Sequence, residues 1–408
     1  MFLHNILVCI SILLAAATLP GTIELFLVTL GYLLPVKRPI LPQKSKRALF
    51  TFSTGKVNKA SKRALHFAVV IPAHNEEIDI AQTIKSLKTA SAKVEFCDVI
   101  VLADNCRDHT EKYALEAGAI VLSRFDLMRK GKGYALEYAF KELLKKEYDI
   151  FSVVDADTLV DSNYLAVLHD LFESGVEAAQ TRYEVLNVHA SIRTRLMEIA
   201  FLAFNVIRPK GRQYWGLSAG IFGNGFAISR QTLLDVPYRA YSIVEDLEYH
   251  LCLVKAGKCV YFADQTAVRS SMPSTGSTAK TQRTRWESGR LNLMIKAAPD
   301  LVQAIFLGRW KLIEPLLELL LLPLTYHMSL LLVLVAMPIV SMRIYALAAI
   351  GVVVLHALAA CSVSQDGLKS IWVLLTAPAY LLWKLGTLFK NALFSKGRPA
   401  WIRTDRKK

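Results

Sequence analysis

The residues with the clearest chemical potential lie in DIFSVVDADTLVD, residues 149–161. An apolar run, Ile150 to Val154, stops abruptly at Asp155-Ala156-Asp157. Side chains at i and i+2 of an extended segment share a face, so the two carboxylates can converge. An isolated Asp-x-Asp also serves as a solvated strand end, so the surrounding residues must decide between the readings. Three further polar clusters follow apolar runs or open a helical pattern: PAHNEE (72–77), ADNCRDHT (103–110) and RKGKG (129–133). Acids and amides at two strand ends, a basic Gly-rich turn and a carboxylate pair together suit a nucleoside diphosphate with a divalent cation. Mg²⁺ or Mn²⁺ takes one or two carboxylates plus phosphate oxygens and keeps several waters.

These residues need elements to hold them. Between about 64 and 300 the chain alternates short apolar runs with amphipathic ones. FAVVIP (67–72), DVIVLAD (98–104), AIVLS (119–123), IFSVVDAD (150–157) and AAQTRYEV (178–185) read as strands. EEIDIAQTIKSL, DHTEKYALEAG, GYALEYAFKELLKKE and NYLAVLHDLFES read as the helices between them. Strands alternating with helices imply an α/β domain with a doubly wound, mostly parallel sheet. Ligands of such sheets sit off the carboxyl ends of the strands, where the four polar clusters would meet.

The two ends of the chain have a different composition. Of 408 residues 53% are hydrophobic, and the mean hydropathy of +0.33 exceeds that of an ordinary soluble domain. Residues 2–36 contain one Asp, Glu, Lys or Arg, Glu24, and are long enough to cross a bilayer, which takes about 20 residues. Pro20-Gly21 is expected to kink this segment. A cleaved signal peptide would carry Lys or Arg ahead of its apolar core, and none precedes this one. Residues 37–63 hold nine Lys/Arg and no acid, and 390–408 hold seven and one acid, so both read as cytoplasmic. Of the apolar runs between them, 316–338 and 340–362 read as two crossings. The run 371–389, with Trp372, Tyr380, Trp383 and Lys384, reads as interfacial or re-entrant. The net charge of +15 flanks these segments, which points to a membrane surface rather than nucleic acid. The six cysteines lack paired spacing and read as buried thiols of a reduced compartment.

The ordered set VVIPAHNEE, ADN, KGKG, DAD, VEDLEYH (244–250) and QRTRW (282–286) resembles the family 2 glycosyltransferases, in particular the membrane-embedded branch of cellulose, chitin and hyaluronan synthases. The resemblance covers roughly residues 65–290 and implies a GT-A-type fold. It implies that Asp104 holds the nucleotide base, with Ala73, Asn75 and Glu76 lining the same pocket. Lys132 lies near the donor, Asp155 near the nucleotide sugar, and Asp157 is the metal ligand. Asp246 is the general base, and Gln282, Arg285 and Trp286 clamp the diphosphate and shape the acceptor site. Asp246 opens a helical pattern, whose free N–H groups are expected to keep it ionised. Two departures bear on the acceptor: Phe222-Gly223-Asn224-Gly225 stands where the synthases often have a Cys, and Val244 stands in place of a Thr before Glu245-Asp246. His250, one turn after Asp246, reads as a solvated or hydrogen-bonded helix histidine rather than a site residue.

The expected organisation is a membrane segment at 1–36, a basic linker at 37–64, a GT-A domain at 65–300, interfacial and transmembrane helices at 301–390 and a basic tail at 391–408. The expected protein is a multi-pass enzyme of the cell (inner) membrane with a cytoplasmic catalytic domain. It would be an inverting, Mg²⁺- or Mn²⁺-dependent transferase moving sugar from a nucleotide-sugar donor, read as UDP-linked, to a growing polysaccharide. The alternatives are a single addition to a lipid-linked acceptor, or a nucleotide-sensing scaffold without turnover. Its partners would be the donor, a saccharide or lipid-linked acceptor and the bilayer, with a second copy or an export partner to widen the membrane part.

Overall fold

The computed structural model describes residues 2–35, 64–272 and 276–378, and over 276–285 the backbone alone. The basic linker, the basic tail and most of the run 371–389 lie outside the described residues. The chain divides into two compact units, one of Val36–Leu186 with Arg212–Ser271, the other of Met1–Pro35, Asn187–Gly211 and Met272–Lys408. Segments 187–211 and 272–300, expected in the catalytic domain, thus group with the apolar helices.

The first unit is built on β1 (His66–Ala73), β2 (Phe96–Asp104), β3 (Ile120–Arg124), β4 (Ile150–Val153), β5 (Thr158–Val160), β6 (Ala178–Val185), β7 (Phe226–Ser229) and β8 (Val260–Ser270). They form one sheet in the order β3-β2-β1-β4-β7-β6-β8-β5. The β1–β2, β1–β4, β2–β3 and β6–β8 pairs are parallel, while β7 is antiparallel to both its neighbours and β5 to β8. Both faces of β1 are buried, which is why its sequence is continuously apolar rather than alternating. Phe67, Val69 and Ile71 pack with Ile80, Ile84, Leu87, Tyr164 and Leu168. Ala68 and Val70 face the other way, toward Leu136, Phe140, Tyr249 and Leu253. The helices Ile80–Ser91 and Tyr164–Glu173 therefore cover one face, and Lys132–Leu143 and Glu245–Lys255 the other.

Register decides what meets at the carboxyl edge. Ala73 pairs with Ala103, and Val70 with Val153. The polar residues after β1, β2 and β4 emerge along that one edge. The crossover at Lys132–Leu143 is held close by Gly133: a Cβ there would lie 1.9 Å from the Ala240 carbonyl oxygen.

In the second unit, Phe2–Leu33 is one helix running through Pro20-Gly21. Among the described residues two helices, His4–Leu33 and Val340–Ser362, are long and apolar enough to cross a membrane. The expected crossing 316–338 is instead a pair, Trp310–Leu320 and Leu324–Ala336, bent by 83°. Pro323 explains the break. It has no N–H to donate and excludes the preceding residue from helical geometry. Polar side chains in these helices are buried against each other. Arg208 is paired with Glu24 and lies 3.6 Å from Glu318. The Thr18 hydroxyl is 2.9 Å from that of Tyr345, and Thr29 is 2.8 Å from His356 Nδ1. Such pairing offsets the cost of polar groups among apolar helices. All six cysteines are free, but the expectation that they are buried holds fully for Cys361 alone. Cys9 and Cys259 are exposed.

Candidate active site

The two strand-end loops expected to form the nucleotide half of the site are laced together. Asn75 takes a left-handed backbone conformation (φ 59°), and its side-chain oxygen accepts from Arg107 N–H at 2.7 Å. His74 Nδ1–H donates to the Asp104 carbonyl at 2.7 Å, and Glu76 N–H donates to Thr110 Oγ1 at 2.8 Å. Ala73, Asn75, Glu76 and Asp104 are thus brought into one pocket edge. Asp104 is almost fully buried, and its Oδ1 accepts from Arg124 Nη1 at 2.5 Å and Asn105 Nδ2 at 3.0 Å. Its Oδ2 accepts no hydrogen bond from the described residues. Arg124 was not singled out from the sequence; at the end of a strand nothing local marks it.

The second half gathers around Lys132. Its Nζ donates to Asp155 Oδ1 at 2.5 Å and to the Gly223 carbonyl at 2.6 Å, and lies 4.0 Å from Glu245 Oε1. Burial alone would lower the Lys132 pKa, but the charge of Asp155, then that of Glu245, outweighs it and holds the ammonium above its usual range. A Cβ on Gly223 would sit 3.2 Å from Asp246 Oδ2, so this turn passes directly against the candidate base. Asp155, Lys132, Glu245 and Asp246, dispersed over more than a hundred residues of sequence, form one cluster.

Two expectations are corrected here. β4 ends at Val153, and Asp155–Thr158 is a turn closed by Thr158 N–H donating to the Asp155 carbonyl at 3.2 Å. The two acids are therefore placed by a turn and not by the pleat of a strand. Asp246 is the second residue of its helix and accepts from Leu247 N–H at 2.8 Å, yet its pKa is raised. Burial penalises the anion more than the helix N-terminus favours it. Glu245 is pushed up to about 7, by burial first and then by the charge of Asp246.

Among the described residues, no three His, Cys, Asp or Glu side chains converge as a preformed metal cage. The donor set still suits Mg²⁺ or Mn²⁺. Two carboxylates on one turn leave the remaining positions to water and phosphate oxygens. Asp155 is already engaged by Lys132, and Asp157, the expected ligand, stands half-buried on the same turn.

Gln282, Arg285 and Trp286 lie on the helix Gly276–Phe306 of the second unit. Spacings of three and four put them on one helix face. The side chains of Gln282 and Arg285 lie outside the described residues, and Trp286 is exposed. His250 is fully buried, with Nε2 2.9 Å from Ser218 Oγ, which agrees with a hydrogen-bonded helix histidine.

The sheet order, the laced loops and the acid–lysine cluster at one edge define a GT-A-type transferase domain. A family model described as glycosyltransferase-like family 2 matches residues 64–289, and the chain belongs to that family of glycosyltransferases. Over 240 residues it is 28% identical to the probable glycosyltransferase YdaM of Bacillus subtilis, covering 56% of each chain. Over 261 residues it is 24% identical to glucomannan 4-beta-mannosyltransferase 7 of Arabidopsis thaliana, covering 60% of this chain and 46% of the other. The chain thus spans about half the length of these curated relatives. Among solved structures, the mannosyltransferase PcManGT of Pyrobaculum calidifontis, in complex with GDP-Man and Mn²⁺, matches with a TM-score of 0.50 at 17% identity over 94% of both chains.

Proposed function

We propose that this glycosyltransferase moves a sugar, with inversion, from a nucleotide-sugar donor to a growing polysaccharide at the cytoplasmic face of a membrane. The observation that carries this reading is the Lys132–Asp155–Gly223–Asp246 cluster, which sets a candidate base beside the acids that would face the diphosphate. Asp104, whose Oδ1 takes the bonds from Arg124 and Asn105, is suited to accept with Oδ2 from a donor N–H of a base. Asp157 would hold the divalent cation, Mg²⁺ or Mn²⁺, which would supply positive charge to the departing diphosphate. Asp246 takes the proton of the acceptor hydroxyl. The acceptor oxygen bonds to the anomeric carbon as the bond to the diphosphate oxygen breaks, and one displacement inverts that centre. Lys132 neutralises Asp155, so that the acids do not repel the diphosphate. On the resemblance alone, Arg285 would add charge to the leaving group and Trp286 would offer a ring face to a sugar.

The donor is read as UDP-linked from the motif set. The mannosyltransferase relatives, and GDP-Man in PcManGT, make GDP-mannose an equal candidate. Membranes containing the protein, screened with UDP- and GDP-sugars, are expected to release nucleoside diphosphate from one of them in an EDTA-sensitive manner. Release from none, with binding intact, would leave the nucleotide-sensing scaffold. A second reading is supported by the membrane helices: the two long apolar helices and one bent pair among the described residues would make a thin channel for a polymer. A single addition to a lipid-linked acceptor needs no channel. Product length from the purified enzyme separates the two, and a polymer-forming enzyme would need a second copy or an export partner.

The basic stretches 37–63 and 390–408 support a cytoplasmic placement of both, and with it a multi-pass topology in the cell membrane. A cysteine engineered at Ser395 is therefore expected to resist an impermeant thiol reagent added to intact cells and to react after permeabilisation. Labelling from outside would put the tail on the other side and change the number of crossings.

A further inference from the structure

The turn Phe222-Gly223-Asn224-Gly225 departs from the pattern of the resembling synthases, and the proposed chemistry uses only its Gly223 carbonyl. Its centre is Asn224, fully buried. Asn224 Oδ1 accepts from Asp155 N–H at 3.1 Å, which fixes the amide's orientation, because a backbone N–H can only donate. The other end, Nδ2, donates to Thr158 Oγ1 at 2.9 Å. The Thr158 hydroxyl, having accepted there, points its own proton at Asp157 Oδ1, 3.4 Å away. One amide therefore grips both ends of the turn that carries Asp155 and Asp157.

The grip is itself held rigidly. Gln180, buried on β6, donates to the Asn224 carbonyl at 2.8 Å and accepts from Phe222 N–H at 3.0 Å. Gly225 N–H donates to the Val153 carbonyl at 2.9 Å, and Thr181 N–H to the Gly225 carbonyl at 3.0 Å. Gly225 has φ +71°, and a Cβ there would lie 2.5 Å from Thr181 Oγ1, so the turn packs too closely on β6 to admit a side chain at this position.

We propose that Asn224 is a positioning residue for the metal site. By clamping Asp155 N–H and Thr158 Oγ1 it holds the Asp157 carboxylate in the position from which it would ligate a divalent cation. The inference rests on the metal reading of Asp157. No other residue type of this size fills the position: Leu offers neither bond, Asp cannot donate, and Ser is too short to span both partners. Groups that orient a ligand carboxylate typically carry 10–100-fold of metal affinity.

The test is nucleotide binding by the full chain in detergent, using UDP and GDP, each with Mn²⁺ and with EDTA. In the wild-type protein Mn²⁺ is expected to tighten binding of one nucleotide. In Asn224→Ala that metal-dependent gain should shrink about tenfold, while the affinity in EDTA stays within about twofold of wild type. Thr158→Val removes the relay hydroxyl without changing shape and should lose part of the same gain. The double variant should lose no more than Asn224→Ala alone, because the two act in one chain. A merely structural role would weaken binding equally with and without metal. An Asn224→Ala protein that keeps the wild-type gain overturns the inference and leaves the metal site standing. A wild-type protein with no metal-dependent gain overturns the metal reading itself. Should Asn224→Ala fail to fold, a wild-type gain in Thr158→Val is the overturning result.

Discussion

Asp246→Asn is expected to bind nucleotide with near wild-type affinity and to transfer sugar at least roughly a hundredfold more slowly, about 2.7 kcal/mol of lost transition-state stabilisation. The amide is nearly isosteric and can still accept from Leu247 N–H, so the helix start survives. It cannot take a proton from the acceptor. The donor does not need this carboxylate in order to bind, so the loss falls on turnover. Asp104→Asn should do the reverse and chiefly raise the donor KM, because the Arg124 pair and the base contact both weaken. The buried pair Glu245–Asp246 gives the prediction a pH signature. Both pKa values are raised, and a base must be ionised, so turnover should fall on the acid side at a higher pH than an exposed carboxyl would give. Titration of nucleotide binding, with release of nucleoside diphosphate measured against pH, checks each part. Near-normal transfer by Asp246→Asn would remove it as the base and make Glu245 the next candidate.

The second large effect concerns Asp157. Asp157→Ala should lower transfer by roughly three orders of magnitude or more, since a bound cation stabilises the developing charge by several kcal/mol. The side chain is half-buried on a turn and outside both hydrophobic clusters, so the fold should persist. Nucleoside diphosphate binding should lose its dependence on Mn²⁺, whereas nucleoside binding should not change. The contrast with Asn224→Ala is informative: removing the ligand abolishes the metal effect, while removing its positioning residue weakens it about tenfold. EDTA-sensitive turnover retained by Asp157→Ala would refute the assignment.

How far the sequence could be read depends on the length and regularity of each element. β6 is legible residue for residue as AAQTRYEV, and the apolar runs of β1 and β2 to within two residues, because they alternate with amphipathic helical patterns. β5 is three residues long, too short for any period to show. β7, FAIS, sits behind a glycine-rich stretch that reads as a turn. β8 is eleven residues long but pairs with β6 across a register shift at Thr181/Arg182, which breaks its alternation. The crossing at 316–338 was read from composition alone, and hydropathy does not register the bend that Pro323 imposes.

The donor-side acids show the same division. Asp104, Asp155 and Asp157 are legible because each ends an apolar run, and a strand end in a parallel sheet is where ligands bind. Arg124, Gln180 and Asn224 are invisible, because their meaning lies in partners 20, 42 and 69 residues away. By itself the sequence determined the family, the order of the motifs, the α/β class and the presence of long apolar helices, all of which rest on residue type and local spacing. Only the tertiary structure decided that Lys132, Asp155 and Asp246 share one cluster and that a turn rather than a strand carries the Asp pair. It also decided that Asp246 and Glu245 resist ionisation. These properties depend on burial and on hydrogen-bond partners supplied by distant segments, and a carboxylate's pKa follows the water it loses more than the helix turn it opens.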